Sequence, residues 1–411
     1  MNEASRIRGR TAGRTVAAPA VHARGKVLLR VLGTEITLLE QLRRRAEADL
    51  GIRLAFDNLD FLGAQSKAAR SPEAYDVYDQ CFHNLDIVWY WRAIQAIDTD
   101  RIPLFDEVSS LTRTGTIGPS GHIGHGDVPV AKLFVQPDQS LSANPSRLIS
   151  MLPTVHNFDS FGYVEDAAGV SASRVSSWAA LLDPALHGRV SFVDEPAIGI
   201  FDVALAAQSA KLMQFQNIGN LSVDEIDALV RILVEKKREG HFAGFWKTAA
   251  EATAMMASGR FCVGSLWSPS VIALKRRGVH VRQAVPVEGY RAWHGGLCLS
   301  SRLGGRELDA AYDYLNWWLS GWPGAVVARQ GYYMSVVDRV RDNLTEAEWA
   351  YWYDGRPAAT DLPDPDGETA IAKGSLRSGG SYWSRASNIA VWNTTMDEHN
   401  YLVRRWGELV G

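Results

Sequence analysis

Between Val175 and Phe201 the chain reads VSSWAALLDPALHGRVSFVDEPAIGIF, and this segment constrains the fold more than any other. A Ser-Trp-x-x-Leu-x-x-Pro stretch, expected to be helical, leads through His187, Gly188 and Arg189 into the apolar run Val190–Val193. A short apolar run bounded by turn residues reads as a buried strand. The run ends on two carboxylates, Asp194 and Glu195, followed by Pro196. In open α/β sheets ligands dock beyond the carboxyl ends of strands, so acids at this point face a cleft.

Bulk properties narrow the class. A chain of 411 residues exceeds what one hydrophobic core organises, which points to two domains. Hydrophobic residues at 46% and charged residues at 22% are those of a globular protein. A net charge of −3 gives no footprint for nucleic acid or an anionic membrane, so neither is expected as a partner. The aromatic load is heavy, with 14 Trp, 13 Tyr and 13 Phe. Most of these rings belong in the core, and the remainder suit a pocket wall for a cation or a sugar face. Cys81, Cys262 and Cys298 form no metal-ligand spacing, and a single disulfide stays open.

The N-terminus is basic and acid-poor, with Arg6, Arg8, Arg10 and Arg14, and Val21 and Ala23 sit as the −3 and −1 residues of a signal-peptidase site. The apolar h-region of roughly 7–15 residues is missing. Residues 1–24 therefore read as the leader of an exported, periplasmic protein, truncated or read from a displaced start. No later run has the roughly 18 apolar residues of a membrane span.

Strands and helices alternate from residue 27 onward. Strands are expected at 27–33, 52–56, 74–79 and 96–98, with helices after Leu38 and over 82–91. Residues 112–150, rich in Gly, Ser and Pro, read as an irregular loop. A second run gives strands at 190–193, 261–266 and 280–285 and helices at 199–212, 223–237, 246–258 and 268–276. A strand over 289–299 and helices at 308–319, 324–330 and the C-terminus complete it. Such alternation implies a mostly parallel sheet covered on both faces.

Several motifs occur together: Ala74-Tyr75-Asp76-Val77, the segment Pro153 to Tyr163, Ser177-Trp178-x-x-Leu181 through Glu195, Gly259-x-x-x-x-Gly264-x-x-Trp267, Trp293, and Gly331-Tyr332. In this order the chain resembles the bacterial extracellular solute-binding proteins of ABC importers, in their spermidine/putrescine-binding branch. The resemblance implies a periplasmic-binding-protein-like fold of type II, two α/β lobes joined by a multi-strand hinge. One lobe would hold 25–155 and 295–332 and the other 161–290 and 337–411, with passages at 155–161, 290–295 and 331–336. It also implies no cofactor, a monomer, and delivery of a small ligand to the membrane permease subunits.

Carried over by position, the resemblance implies an aromatic wall of Trp267, Trp293 and Tyr332, with Glu195 as a ligand carboxylate. His156, Asn157 and Asp159 in the first passage join the candidates, as do Arg385 and Glu35. The polyamine pattern has acids where this chain has Ile198 and Gly295, and a buried ammonium without a partner is disfavoured. An acid together with Arg385 then implies a small solute with an amine at one end and an acidic or hydroxylated group at the other.

The alternatives are a polyamine (spermidine/putrescine) receptor proper, a ferric-ion receptor and, less well supported, a hydrolase. A hydrolase lacks support, since the chain has no G-x-S-x-G, H-E-x-x-H, Walker or G-x-G-x-x-G motif. His122, His125 and Asp127 in the Gly-rich loop have only a faint metal-ligand look, and solvated histidines are the plainer reading. A ferric-ion receptor would use adjacent tyrosines, and Tyr332-Tyr333 is such a pair.

Overall fold

A computed structural model of the chain describes residues 25–117, 123–126 and 129–411. The leader-like segment and the candidates His122 and Asp127 lie outside the described residues.

Two sheets carry the architecture. In the first, Leu28–Gly33 lies between Arg53–Asn58 and Val77–Cys81, parallel to both. Leu29 and Val31 pack with the helices Glu40–Leu50 and Gly305–Trp318, while Leu32 packs with Phe61–Arg70 and Leu85–Tyr90. Covered on both faces, this strand has an unbroken apolar pattern apart from Arg30, which reaches out to Asp76. The second sheet runs in the order Phe242–Trp246, Val190–Val193, Val263–Ser265, Phe161–Val164, Val281–Gln283. The almost wholly buried helix Pro196–Ser209 and the helix Val223–Arg238 pack on it.

Two long strands join these layers. Leu152–Asp159 is buried along its whole length and passes through Ser160 directly into Phe161–Val164 of the second sheet. Tyr290–Ser300, also buried throughout, begins against Ile389–Trp392 and ends antiparallel to Val77–Cys81. The two pair antiparallel, with Trp293 opposite Asn157 and Arg291 opposite Asp159. Tyr333–Met334 adds to the outer edge of Leu152–Asp159.

Several local expectations give way to the structure. The first sheet is mixed rather than mostly parallel, because the crossing strands enter it from the opposite end. The Ser-Trp-x-x-Leu-x-x-Pro stretch forms two 3-10 turns, Trp178–Leu182 and Pro184–Leu186. Pro184 holds Asp183 in an extended conformation and stops an α-helix there. The strand Phe242–Trp246 was not foreseen. The helix after it starts at Ala249, later than expected, because Thr248 caps it by accepting from the Glu251 amide. The presumed loop at 112–150 holds Phe134–Val135, Leu141–Ser142 and Leu148–Ile149, which with Ile97–Asp98 form a small antiparallel sheet. Strands of two residues are too short to leave a periodic signal. The three cysteines are buried and free, which answers the open disulfide question.

The crossing pair tolerates no side chain at its irregularity. The register shifts between His294 and Gly296, and a Cβ on Gly296 would stand 2.2 Å from the Leu152 carbonyl oxygen. Gly296→Ala is expected to lower unfolding free energy by about 1–3 kcal/mol or more in denaturant titration, because a backbone strand must move.

Candidate functional site

The carboxyl ends of Leu28–Gly33 and Val77–Cys81, the crossing strands and the start of the helix Ser268–Arg276 converge on a narrow cavity of about 30 Å³. Its walls are aromatic. Trp267 stands just before the Ser268–Arg276 helix, edge-on to Trp246 at 4.8 Å and 6.0 Å from Phe61. Trp293 meets Tyr332 edge-on at 5.3 Å. Perpendicular ring pairs of this kind fix each other's orientation as well as adding contact energy.

Between the rings lies a buried polar network. Asp159 accepts 2.7 Å hydrogen bonds from the Trp293 indole on one oxygen and from the Asn157 amide on the other. Arg291, 2% exposed, places Nη2 3.9 Å from Asp159 and gives its Nε to Asp202 at 2.7 Å. Its Nη1 reaches the Asn393 side chain at 3.1 Å, and Ser265 donates to the second Asp202 oxygen at 2.6 Å. Burial raises the Asp159 pKa above the usual carboxylate value, with Arg291 and the Trp293 indole pulling the other way.

Asp79 also lines the cavity, and one of its oxygens has no partner among the described residues. Burial pushes its pKa up to about 7 against a hydrogen bond from Thr37. Thr34, Thr37, Thr154 and Asn393 supply further polar lining.

Of the residues proposed from sequence, Trp267, Trp293, Tyr332 and Asp159 come together on this cavity. The others do not line it. Glu195 caps the helix Pro196–Ser209 by accepting from the Ala197 amide, one turn before the cavity residue Ile198. Burial pushes its pKa up to about 7, against the pull of the Ala197 amide and helped by Asp194 and Asp60. Asn157 stands behind Asp159, also donating to Ser268 at 3.0 Å. His156 points to the other face of its strand, 3.1 Å from the Tyr382 hydroxyl and stacked on Tyr333. Arg385 donates to the carbonyls of Phe158 and Ser378 and lies over Tyr290. Glu35 accepts from the Ala249 amide at 3.0 Å, tying the loop after the first strand to the helix Ala249–Ala257.

The guanidinium in the cavity is thus Arg291, and sequence reasoning missed it together with Asp79. The available signal was chemical: each is a charged residue inside a strand otherwise built of buried side chains. The tyrosine pair does not converge. Tyr332 faces Trp293 in the cavity, whereas Tyr333 packs against Tyr382 and His156. Among the described residues no group of three His, Cys, Asp or Glu is placed to hold a metal, and no helix is long and apolar enough to cross a membrane.

Comparison with known proteins bears on the fold that carries this cavity. Residues 150–322 match the family model described as bacterial extracellular solute-binding protein, so this stretch carries a solute-binding domain. No curated protein matches the sequence. Among solved structures, the TpPotD lipoprotein of Treponema pallidum superposes with a TM-score of 0.64 at 13% identity, covering 93% of this chain and 99% of that one. The spermidine/putrescine ABC transporter substrate-binding protein PotD of Streptococcus pneumoniae gives 0.60 at 11% identity, covering 94% and 100%. MotA of A. tumefaciens in complex with glucopine gives 0.54 at 12%, covering 79% and 88%. The chain has the two-lobed periplasmic-binding-protein fold.

Glu195 offers a test that needs no ligand. Its folded pKa of about 7 stands above the ordinary 4.5, so its contribution to stability is present below pH 4.5 and is lost as pH rises through 7. Glu195→Gln should therefore gain on the wild type over that interval, by up to roughly 3 kcal/mol at pH 8 in denaturant titration. Comparing variant with wild type cancels the buried His83, His156 and His294, whose depressed pKa values act in the opposite sense.

Proposed function

We propose, from the premise of that solute-binding domain, that the protein is the substrate-binding receptor of an ABC importer. It captures a small amine-bearing solute in the interlobe cavity and hands it to the permease subunits. One observation carries the choice of an amine. The cavity's cation, Arg291, is already bracketed by Asp202 and Asp159, which leaves the aromatic walls facing an excess of carboxylate. A cation held against Trp and Tyr faces and neutralised by acids suits that environment.

The solute's other end follows from the same charges. Arg385, the sequence-stated partner for an anion, is engaged with backbone carbonyls, and Arg291 is engaged with Asp202. A hydroxylated end that uses Thr34, Thr154 or Asn393 therefore fits better than a carboxylate. A second reading, a polyamine receptor proper, draws on the spermidine/putrescine description of the Streptococcus pneumoniae neighbour and on two acids, Asp79 and Asp159, lining one cavity.

We further read the lobes as 25–155 with 295–332 and 161–290 with 337–411, the protein as an exported periplasmic monomer, and its role as binding rather than catalysis. The match to a solute-binding family model over residues 150–322 supports the last point.

Thermal-shift and calorimetric titration with amino alcohols, putrescine, spermidine, amino acids and sugar phosphates tests the reading. An amine ligand at a hundredfold excess over Kd raises stability by about 2.7 kcal/mol. Trp267→Ala should weaken that ligand by about 1–2 kcal/mol. Binding of sugar phosphates with no response to any amine would overturn it.

A further inference from the structure

Two carboxylates line the cavity, a third stands near it, and they are not equivalent. Both oxygens of Asp159 are taken, by the Trp293 indole and the Asn157 amide, and Arg291 stands beside it. Glu195 is set back from the cavity and holds the Ala197 amide. Asp79 differs. It is 3% exposed and lines the cavity, yet its Oδ2 has no hydrogen-bond partner among the described residues.

The surroundings of Asp79 supply no countercharge. Burial dominates its environment, and the hydrogen bond of Thr37 is the one influence opposing it. Cys81, Cys298 and Tyr314 feel its charge, and burial raises the pKa of each, so all three stay neutral near pH 7. An unpaired buried carboxylate oxygen is costly unless something bound satisfies it. The strand register leaves an approach. Asp79 and Cys81 share one side of Val77–Cys81, and Cys81 faces Gly295, another lining residue without a side chain.

We infer that Asp79 is the residue that receives the ligand's ammonium group, and that it selects amines carrying N–H against quaternary ammonium. The inference rests on the amine reading above and deepens it. Aromatic walls alone accept any cation, methylated or not. A carboxylate oxygen that needs a hydrogen-bond donor rejects a cation that has none, because the oxygen is then buried beside it unsatisfied. Trp267, Trp293 and Tyr332 thus supply attraction to positive charge, and Asp79 supplies the discrimination. Thr37 is a positioning residue, orienting the carboxylate through its hydroxyl.

The test compares n-butylamine, putrescine and choline on the full chain and on Asp79→Asn, by calorimetry at pH 8. The wild type should prefer one of the two primary amines over choline by about tenfold or more, and Asp79→Asn should lose that preference. A wild type that binds none of the three probes overturns the amine reading itself. A wild type that prefers the amines, with the preference unchanged in Asp79→Asn, overturns the role of Asp79 and leaves the reading standing.

A second measurement stands if Asp79→Asn fails to fold. In the Glu195→Gln background, affinity for whichever primary amine binds should rise as pH increases through about 7, where Asp79 ionises while the amine stays charged. A flat profile overturns the inference.

Discussion

The antiparallel pairing of Leu152–Asp159 with Tyr290–Ser300 is the constraint on which the rest of the molecule depends. Each strand is buried from end to end, and each belongs to the first sheet while reaching the neighbourhood of the second. Alternation along a strand sends residues two apart to the same side. Asp159, Arg291 and Trp293 are thereby delivered to one cavity from two strands, while His156 and Tyr290 go to the other face. The site is a property of that register, and a slip by one residue would exchange the charged network for the aromatic cluster around Tyr382.

Burying charge beside that pairing is expensive, and the sequence meets the cost with a chain of partners. Arg291 lies between Asp202, from the second-sheet helix Pro196–Ser209, and Asp159, from the crossing strand. Ser265, Asn157, Asn393 and the Trp293 indole satisfy the remaining groups. Removing one member of such a network leaves an uncompensated charge, which is far worse than replacing the whole by apolar residues. The network therefore contributes less to net stability than to holding Trp293 and Asp159 in one geometry.

The fold was legible because strand and helix periods repeat over long segments. Val190–Val193 and Ser268–Arg276 fall where the sequence puts them, and Leu28–Gly33 differs by one residue. What escaped was short or governed by a single residue: the two-residue strands around Phe134, the 3-10 turns set by Pro184, and Phe242–Trp246, whose two buried residues stand at its ends. The lining of the candidate cavity was legible where aromatic residues carried a motif, as at Trp267, Trp293 and Tyr332. It was illegible where position along a strand mattered more than residue type. His156 and Asn157 are neighbours in sequence and face opposite sides, and Arg385 is held by main-chain carbonyls that no side-chain pattern announces. Asp79 and Arg291 lie within strands that hydrophobic reasoning treats as core.

Burial makes these electrostatics matter. Glu35 accepts from the amide of Ala249, and Phe61 lies against Trp267 on the cavity wall. Burial raises the pKa values of Asp79 and Glu195, and it makes an ionised Asp79 unfavourable while the cavity is empty. A cation bound beside Asp79 removes that penalty. A ligand shifts an equilibrium only between states it stabilises unequally, and the unpaired oxygen of Asp79 is the group in this cavity that an empty and an occupied state satisfy differently.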